Sequence, residues 1–235
     1  MPRLKKRHVG LIAILTVVAI PSAWLVLAYG ELPRLWSHHE HKKARAPLDR
    51  VSYTAQDIPA DPINLQLAGN EAQISCAFAK AGWSRADELS PAAALGIAIS
   101  VLKQRAYPSA PVSPLYVHDQ KQDITFEQEE GPSAKRRHHV RLWREGPDDW
   151  LGAASFDRGV GLSLFTLQIT HHIGPDLDTE RRLVGNLIIA AGGRVDGATS
   201  SNVTPGQWHR NGGGDHYITD GKIARYVLAA TCPHS

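Results

Sequence analysis

From Val9 to Ala28 the chain carries no ionisable side chain over twenty consecutive positions. At 1.5 Å rise per residue such a run spans ~30 Å, the thickness of a bilayer's hydrocarbon core, so the pattern predicts one transmembrane helix over residues 9–29. Pro21 introduces a kink without abolishing the span, and Trp24 and Tyr29 stand near one end, where amphipathic rings favour the interface. Residues 30–56 lose the apolar period and hold prolines, charges and His38, His39 and His41. They read as a juxtamembrane tether.

Periodicity returns at about Asp57. Ile63, Leu65 and Leu67 alternate as in a strand, and Glu71 to Ala81 repeats apolar residues at helical spacing until Gly82. Ser90-Pro91 opens a second apolar helix to about Lys103, followed by an extended stretch marked by Pro108, Pro111 and Pro114. Strand patterns follow at 115–118, 123–127, 138–144 and 150–156, with another ending near Ile173. A helix is expected from about Asp176 to Ala191, capped by acidic residues at its start and by Gly192-Gly193 at its end. A short strand near Tyr217, the Asp220-Gly221 turn and residues 223–230 read as a hairpin. The expected fold class is α+β: a mostly antiparallel sheet with about three packed helices over residues 57–235, preceded by one N-terminal transmembrane helix.

Composition changes the picture mainly through charge. The 235 residues carry a formal net charge of +3. Residues 1–50 hold 9 of the 26 Lys and Arg against 3 of the 23 Asp and Glu, so this segment is at +6 and the remainder at −3. Arg3, Lys5, Lys6 and Arg7 make residues 1–8 a basic tail, which the positive-inside rule leaves in the cytoplasm. The expected localisation is the cytoplasmic (inner) membrane, single-pass, with the C-terminal domain outside. The basic excess reports topology, and nucleic acid is not expected as a partner. A cleaved signal peptide shares this layout, but the run exceeds a usual apolar region and no Ala-x-Ala site follows, so an uncleaved signal-anchor is preferred. Cys76 and Cys232 form a candidate disulfide in an oxidising compartment; two buried free thiols are the alternative.

Two histidine pairs carry the candidate chemistry. On a strand adjacent side chains point to opposite faces. His138 then shares a face with Val140 and Leu142, and His171 with Ile169 and Ile173, which predicts both to be buried. His139 shares the other face with Arg137, Arg141 and Trp143, and His172 with Gln168 and Thr170. Three readings stay open for that second face. Arg137, His139, Arg141 and His172 would bind an anion such as a phosphate or carboxylate. Alternatively, His139 and His172 with Asp157 or Asp176 would hold a divalent metal. In the third, all of them form a structural polar network. No residue is assigned to catalysis, and no cofactor is expected outside the metal reading. Asn211-Gly212-Gly213-Gly214-Asp215 lacks the helix that a phosphate loop needs. Asp176-x-Asp178-x-Glu180 lacks the glycine and distal glutamate of a calcium loop. Ser155 and Ser163 lie in no Gly-x-Ser-x-Gly elbow.

Several segments, in order, resemble the LssY C-terminal domain family. They are Asp61 to Leu65, Ala81-Gly82-Trp83, Ala110 to Tyr116, Gln122-Asp123, Arg137 to Trp143, His171-His172-Ile173 and Pro175 to Arg181. The resemblance covers roughly residues 57–230. It implies a bacterial envelope protein, in a family often joined to membrane modules of the type-2 phosphatidic acid phosphatase or DedA-like kind. It implies no activity, and no phosphatase motif stands in this chain. The expectation is an accessory or binding domain on the periplasmic face, recognising an anionic membrane lipid headgroup or a membrane protein partner. The alternative is a metal-assisted hydrolase acting on an envelope phosphoester.

Overall fold

The computed structural model describes residues 6–36, 51–87, 99, 107, 109, 112–131, 135–167 and 169–230. The expected helix after Ser90-Pro91 lies outside these residues apart from Ile99, as does the histidine tract at 38–41.

The apolar run forms helix α1, Lys6–Val26, continued by a wider π-type turn at Leu27–Glu31 and a further helical segment at 32–36. Pro33 explains the wide turn: it cannot donate to the carbonyl four residues back, and its ring needs room there. Ile14–Trp36 is long and apolar enough to cross a membrane.

Among the described residues the domain is built on one eight-stranded sheet. Its strands are β3 (Leu65–Ala68), β4 (Ser84–Arg85), β7 (Ile124–Glu129), β8 (Arg137–Arg144), β9 (Asp149–Leu162), β10 (Ile169–Ile173), β11 (Arg194–Ser200) and β14 (Lys222–Val227), in the order β11-β14-β3-β9-β8-β7-β4 with β10 on β9. All pairings in it are antiparallel except β14 with β3. The α+β class and the mostly antiparallel sheet are as expected. The C-terminal hairpin is not: β14 pairs with β11 and β3, whereas β13 (His216–Tyr217) pairs with β12 (His209–Arg210).

Each face of the sheet has its own cover. Helices α2 (Glu71–Lys80) and α3 (Leu177–Ala190) pack on the first, burying Leu65, Leu67, Ile74, Phe78, Phe126, Val140, Leu142, Trp150 and Ile188. Both helices are delimited by local chemistry. Asn70 and Gln73 form a reciprocal capping box on α2, and Asp176 caps α3 by accepting from the Thr179 backbone. Each ends where a left-handed glycine, Gly82 or Gly192, lets the chain close back on its last carbonyls. Gly185 lets α3 approach β14, since a Cβ there would lie 2.1 Å from the Tyr226 hydroxyl.

The second face is covered by a small sheet of β1 (Val51–Tyr53), β2 (Pro59–Pro62), β5 (Tyr116–Val117) and β6 (Gln120–Lys121), ordered β2-β1-β5-β6. Ile63, Leu115, Val117, Trp143, Ala153 and Ile223 fill the space between. Val51 and Ser52 are buried, so ordered domain structure begins inside the stretch read as tether. Cys76 on α2 is disulfide-bonded; Cys232, the chain's other cysteine, lies outside the described residues.

Candidate functional site

The second face of β8 carries the charged residues that the alternation grouped together. Register aligns Arg137 with Asp157, His139 with Ser155 and Glu127, and Arg141 with Thr125. Residues paired across antiparallel strands project to the same face, so the ladder sets Arg137, His139, Arg141, Glu127, Ser155 and Asp157 together. Asp61 completes the group from β2. All seven are buried, Arg137 and His139 at 1% exposure.

The contacts form one network. Arg137 donates through Nε to Asp157 Oδ2 at 3.0 Å and through Nη1 to Glu127 Oε2 at 2.6 Å. Arg141 Nη1 donates to Asp61 Oδ2 at 2.5 Å and to His139 Nε2 at 2.6 Å. A donor aimed at Nε2 makes that nitrogen an acceptor, so the ring proton sits on Nδ1, which faces Asp157 Oδ1 at 3.4 Å. The Ser155 hydroxyl lies 2.8 Å from His139 Nε2 and 3.2 Å from Asp61 Oδ2. Asn64, three residues past Asp61, clamps the β9 backbone by exchanging two hydrogen bonds of 2.9 Å with Ala154.

Burial by itself would raise the Asp157 carboxyl, but His139, His171 and Arg137 hold it well below the usual carboxylate range. Burial also works against Asp61, and the Arg141 guanidinium and His139 outweigh it, leaving that carboxyl lowered. Glu127 goes the other way. Burial, only partly offset by Arg137 and reinforced by the negative charges of Asp157 and Glu129, pushes it up to about 8. Its Oε1 has no partner among the described residues. At neutral pH, then, a protonated Glu127 leaves the two guanidiniums facing the two carboxylates of Asp61 and Asp157. Tyr217 is pushed up to about 12 by burial and by Asp61.

The structure separates the candidates. Arg137, His139, Arg141 and Asp157 come together: Arg137 pairs with Asp157 and Glu127 and Arg141 with Asp61, while the buried Arg141 Nε has no hydrogen-bond partner among the described residues. His172 joins a different carboxylate: its Nδ1 lies 2.9 Å from Asp215 Oδ1, and the ring packs on Gly161, where a Cβ would be 2.6 Å from Nε2. It is His171 that reaches towards Asp157, at 3.9 Å. Asp176 is the α3 cap, its two oxygens accepting from Thr179 N and Oγ1. Among the described residues no three His, Cys, Asp or Glu are grouped to hold a metal.

Parity assigned His138 and His171 to the interior, and both are partly exposed instead. His138 lies on the helix-covered face but near its rim, where Nδ1 meets Glu180 Oε2 at 2.8 Å. A bulge between His172 and Ile173 shifts β10 against β9 and breaks the alternation on which the second assignment rested.

The sequence offers no site role for Glu127, names Asp61 only within the family resemblance and sets Ser155 aside as lying in no nucleophile elbow. Glu127 and Ser155 sit at the correct parity on their strands, but only pairing shows that they face Arg137 and His139. Hydroxyl, imidazole and carboxylate follow one another in the order that nucleophilic catalysis uses. Here Arg141 occupies the same ring nitrogen, and Ser155 is buried in mid-strand under the small sheet, so the geometry is that of a closed network.

The family profile described as "LssY C-terminus" matches residues 45–223, about three quarters of the chain. The chain belongs to this family. No curated protein and no solved structure matches it. The match spans β1 through the start of β14 and so includes every member of the buried network. The LssY C-terminal domain and the apolar helix before it together fit a membrane-anchored protein.

Proposed function

We propose that this chain is a single-pass membrane protein with its N-terminus inside. Its LssY C-terminal domain serves as an accessory or binding module on the outer surface of the cytoplasmic membrane, engaging an anionic lipid headgroup or a membrane partner. One observation carries this reading. Trp36, at the end of the membrane-length helix, stacks on Phe165 of the domain with ring centroids 3.9 Å apart and planes at 4°. Arg210 lies over both rings, 5.8 Å from Trp36 and 4.4 Å from Phe165. The helix end is thus packed against the domain, which supports a domain held close to the bilayer. In this reading the groups that meet lipid phosphates are Arg210 and Arg34, the latter also 3.4 Å from Glu31.

Two measurements test the reading. Alkaline phosphatase fused after residue 50 should be active, and an inactive fusion overturns the orientation. Full chain in mixed phosphatidylcholine and phosphatidylglycerol nanodiscs should enrich the anionic lipid around it. Arg34→Ala with Arg210→Ala should reduce that enrichment, and no enrichment in the wild type contradicts the headgroup reading.

A further inference from the structure

The turn joining β9 to β10 carries leucines that the domain does not bury. Leu162, Leu164 and Leu167 are 49%, 73% and 41% exposed, and Trp208, two positions before Arg210, is 64% exposed. The turn is also a built one. Ser163 Oγ accepts from the backbone N–H groups of Phe165 and Thr166, and Leu167 N donates to the Ser163 carbonyl at 3.1 Å. Gly214 sits directly behind it with φ +98°, where a Cβ would lie 2.9 Å from Phe165 Cε2 and 3.3 Å from Leu164 Cβ. Leu167 adopts φ +55°, a left-handed conformation that is costly for a bulky residue. An exposed leucine held at that cost on a braced turn points to something outside the domain.

Its position says what that is. Ile14–Trp36, the stretch long and apolar enough to cross a membrane, is 23 residues, ~35 Å at helical rise, which spans a hydrocarbon core and reaches into a headgroup layer. Trp36 at its end therefore lies at headgroup level, and the Trp36–Phe165 stack brings the turn to the same depth. We propose that this turn, led by Leu164 and Leu167, inserts into the interfacial layer of the bilayer that α1 crosses, while Arg210 contacts a lipid phosphate. The inference rests on the anchored reading above and deepens it, naming phospholipid as the partner and this turn as the contact. Leucine side chains gain from leaving water at that depth, and a guanidinium over two rings can reach the phosphates while its stem stays apolar.

The test uses the full chain in phospholipid vesicles. Leu164→Cys and Leu167→Cys, each labelled with an environment-sensitive fluorophore, are compared with Ala72→Cys on the exposed side of α2, and labelled wild type serves as the blank. The turn probes should show blue-shifted emission and lose intensity when lipids bearing a shallow spin label are added; the Ala72 probe should do neither. Water-like emission from both turn probes, in protein that resists alkaline carbonate extraction, overturns insertion and leaves the anchor standing. Extraction of the chain by carbonate would remove the anchored reading itself, and this proposal with it. Protection in native membranes but not in pure lipid vesicles would overturn the lipid assignment in favour of a protein.

Discussion

Arg141 directs its Nη1 at His139 Nε2, 2.6 Å away, beneath β2. That one contact makes Nε2 an acceptor and turns Nδ1 towards Asp157 Oδ1, 3.4 Å away. The charges beside it are matched within the chain: Asp157 faces Arg137, which also donates to Glu127, and Asp61 faces Arg141.

Removing one member of such a set should be costly, because its partner stays buried and unpaired. Asp157→Asn is expected to lower unfolding stability by ~3–5 kcal/mol, the range for breaking a buried ion pair from one side. His172→Ala, at a partly exposed pair with Asp215, should cost less, about 1 kcal/mol. Urea unfolding of both variants checks the order, and an equal or reversed cost would contradict it.

Glu127 should impose a pH dependence of its own. Its folded-state value of about 8 lies above the ordinary 4.5, so the folded protein holds this proton more tightly than the unfolded chain does. Stability from the group is then fully present below about 4.5 and is lost as pH rises towards about 8, by ~3–5 kcal/mol in all. Glu127→Gln keeps an oxygen for Arg137 and cannot ionise. Its stability should be close to wild type at pH 5 and higher at pH 8.5, and parallel pH profiles for the two proteins would show that Glu127 does not titrate there. Asp157, held low, acts with the opposite sign: its contribution is present above its unfolded value of about 4 and falls away as acid protonates it in the folded state.

Gly185 should not tolerate a methyl group. An added Cβ would meet the Tyr226 hydroxyl at 2.1 Å and its ring carbons at 2.5 and 3.0 Å, so Gly185→Ala should destabilise by ~1–3 kcal/mol despite the better helix propensity of alanine. Thermal unfolding followed by circular dichroism reads this directly, and an unchanged or raised midpoint would mean that α3 does not press on β14 this closely.

Metal content separates the accessory reading from the hydrolase alternative. His139 and His172 sit beside different carboxylates and Asp176 caps a helix, so chelation should leave the thermal midpoint of the full chain unchanged. Stoichiometric zinc or manganese that is lost on His172→Ala would instead support a metal-dependent enzyme.

The elements most legible in the sequence were those with local signals. Asn70, Asp176, Gly82 and Gly192 mark the ends of α2 and α3 through cap chemistry that acts within a few residues, and the alternation Arg137-His139-Arg141 placed three side chains on one face of β8. Strand β11 was invisible because all seven of its residues are exposed and leave no apolar alternation to read. The parallel pairing of β14 with β3 joins segments some 160 residues apart, and no local pattern encodes it. The same holds for the site: the face carrying Arg137 and Arg141 looked open to an anion because its cover comes from β2 and β5, and Asp61 is 80 positions from the arginine it neutralises.

The account stands most directly on the contact between anchor and domain. Hydrogen exchange of the full chain in phospholipid nanodiscs, read by mass spectrometry, should show slow amides both at residues 32–36 and in the 163–167 turn. Phe165→Ala should speed both segments together by about three- to tenfold, the loss of one aromatic pair, and leave β8 unchanged. Fast exchange of the turn in the wild type, or a Phe165→Ala variant in which neither segment changes, would contradict a domain held against the membrane by its own helix.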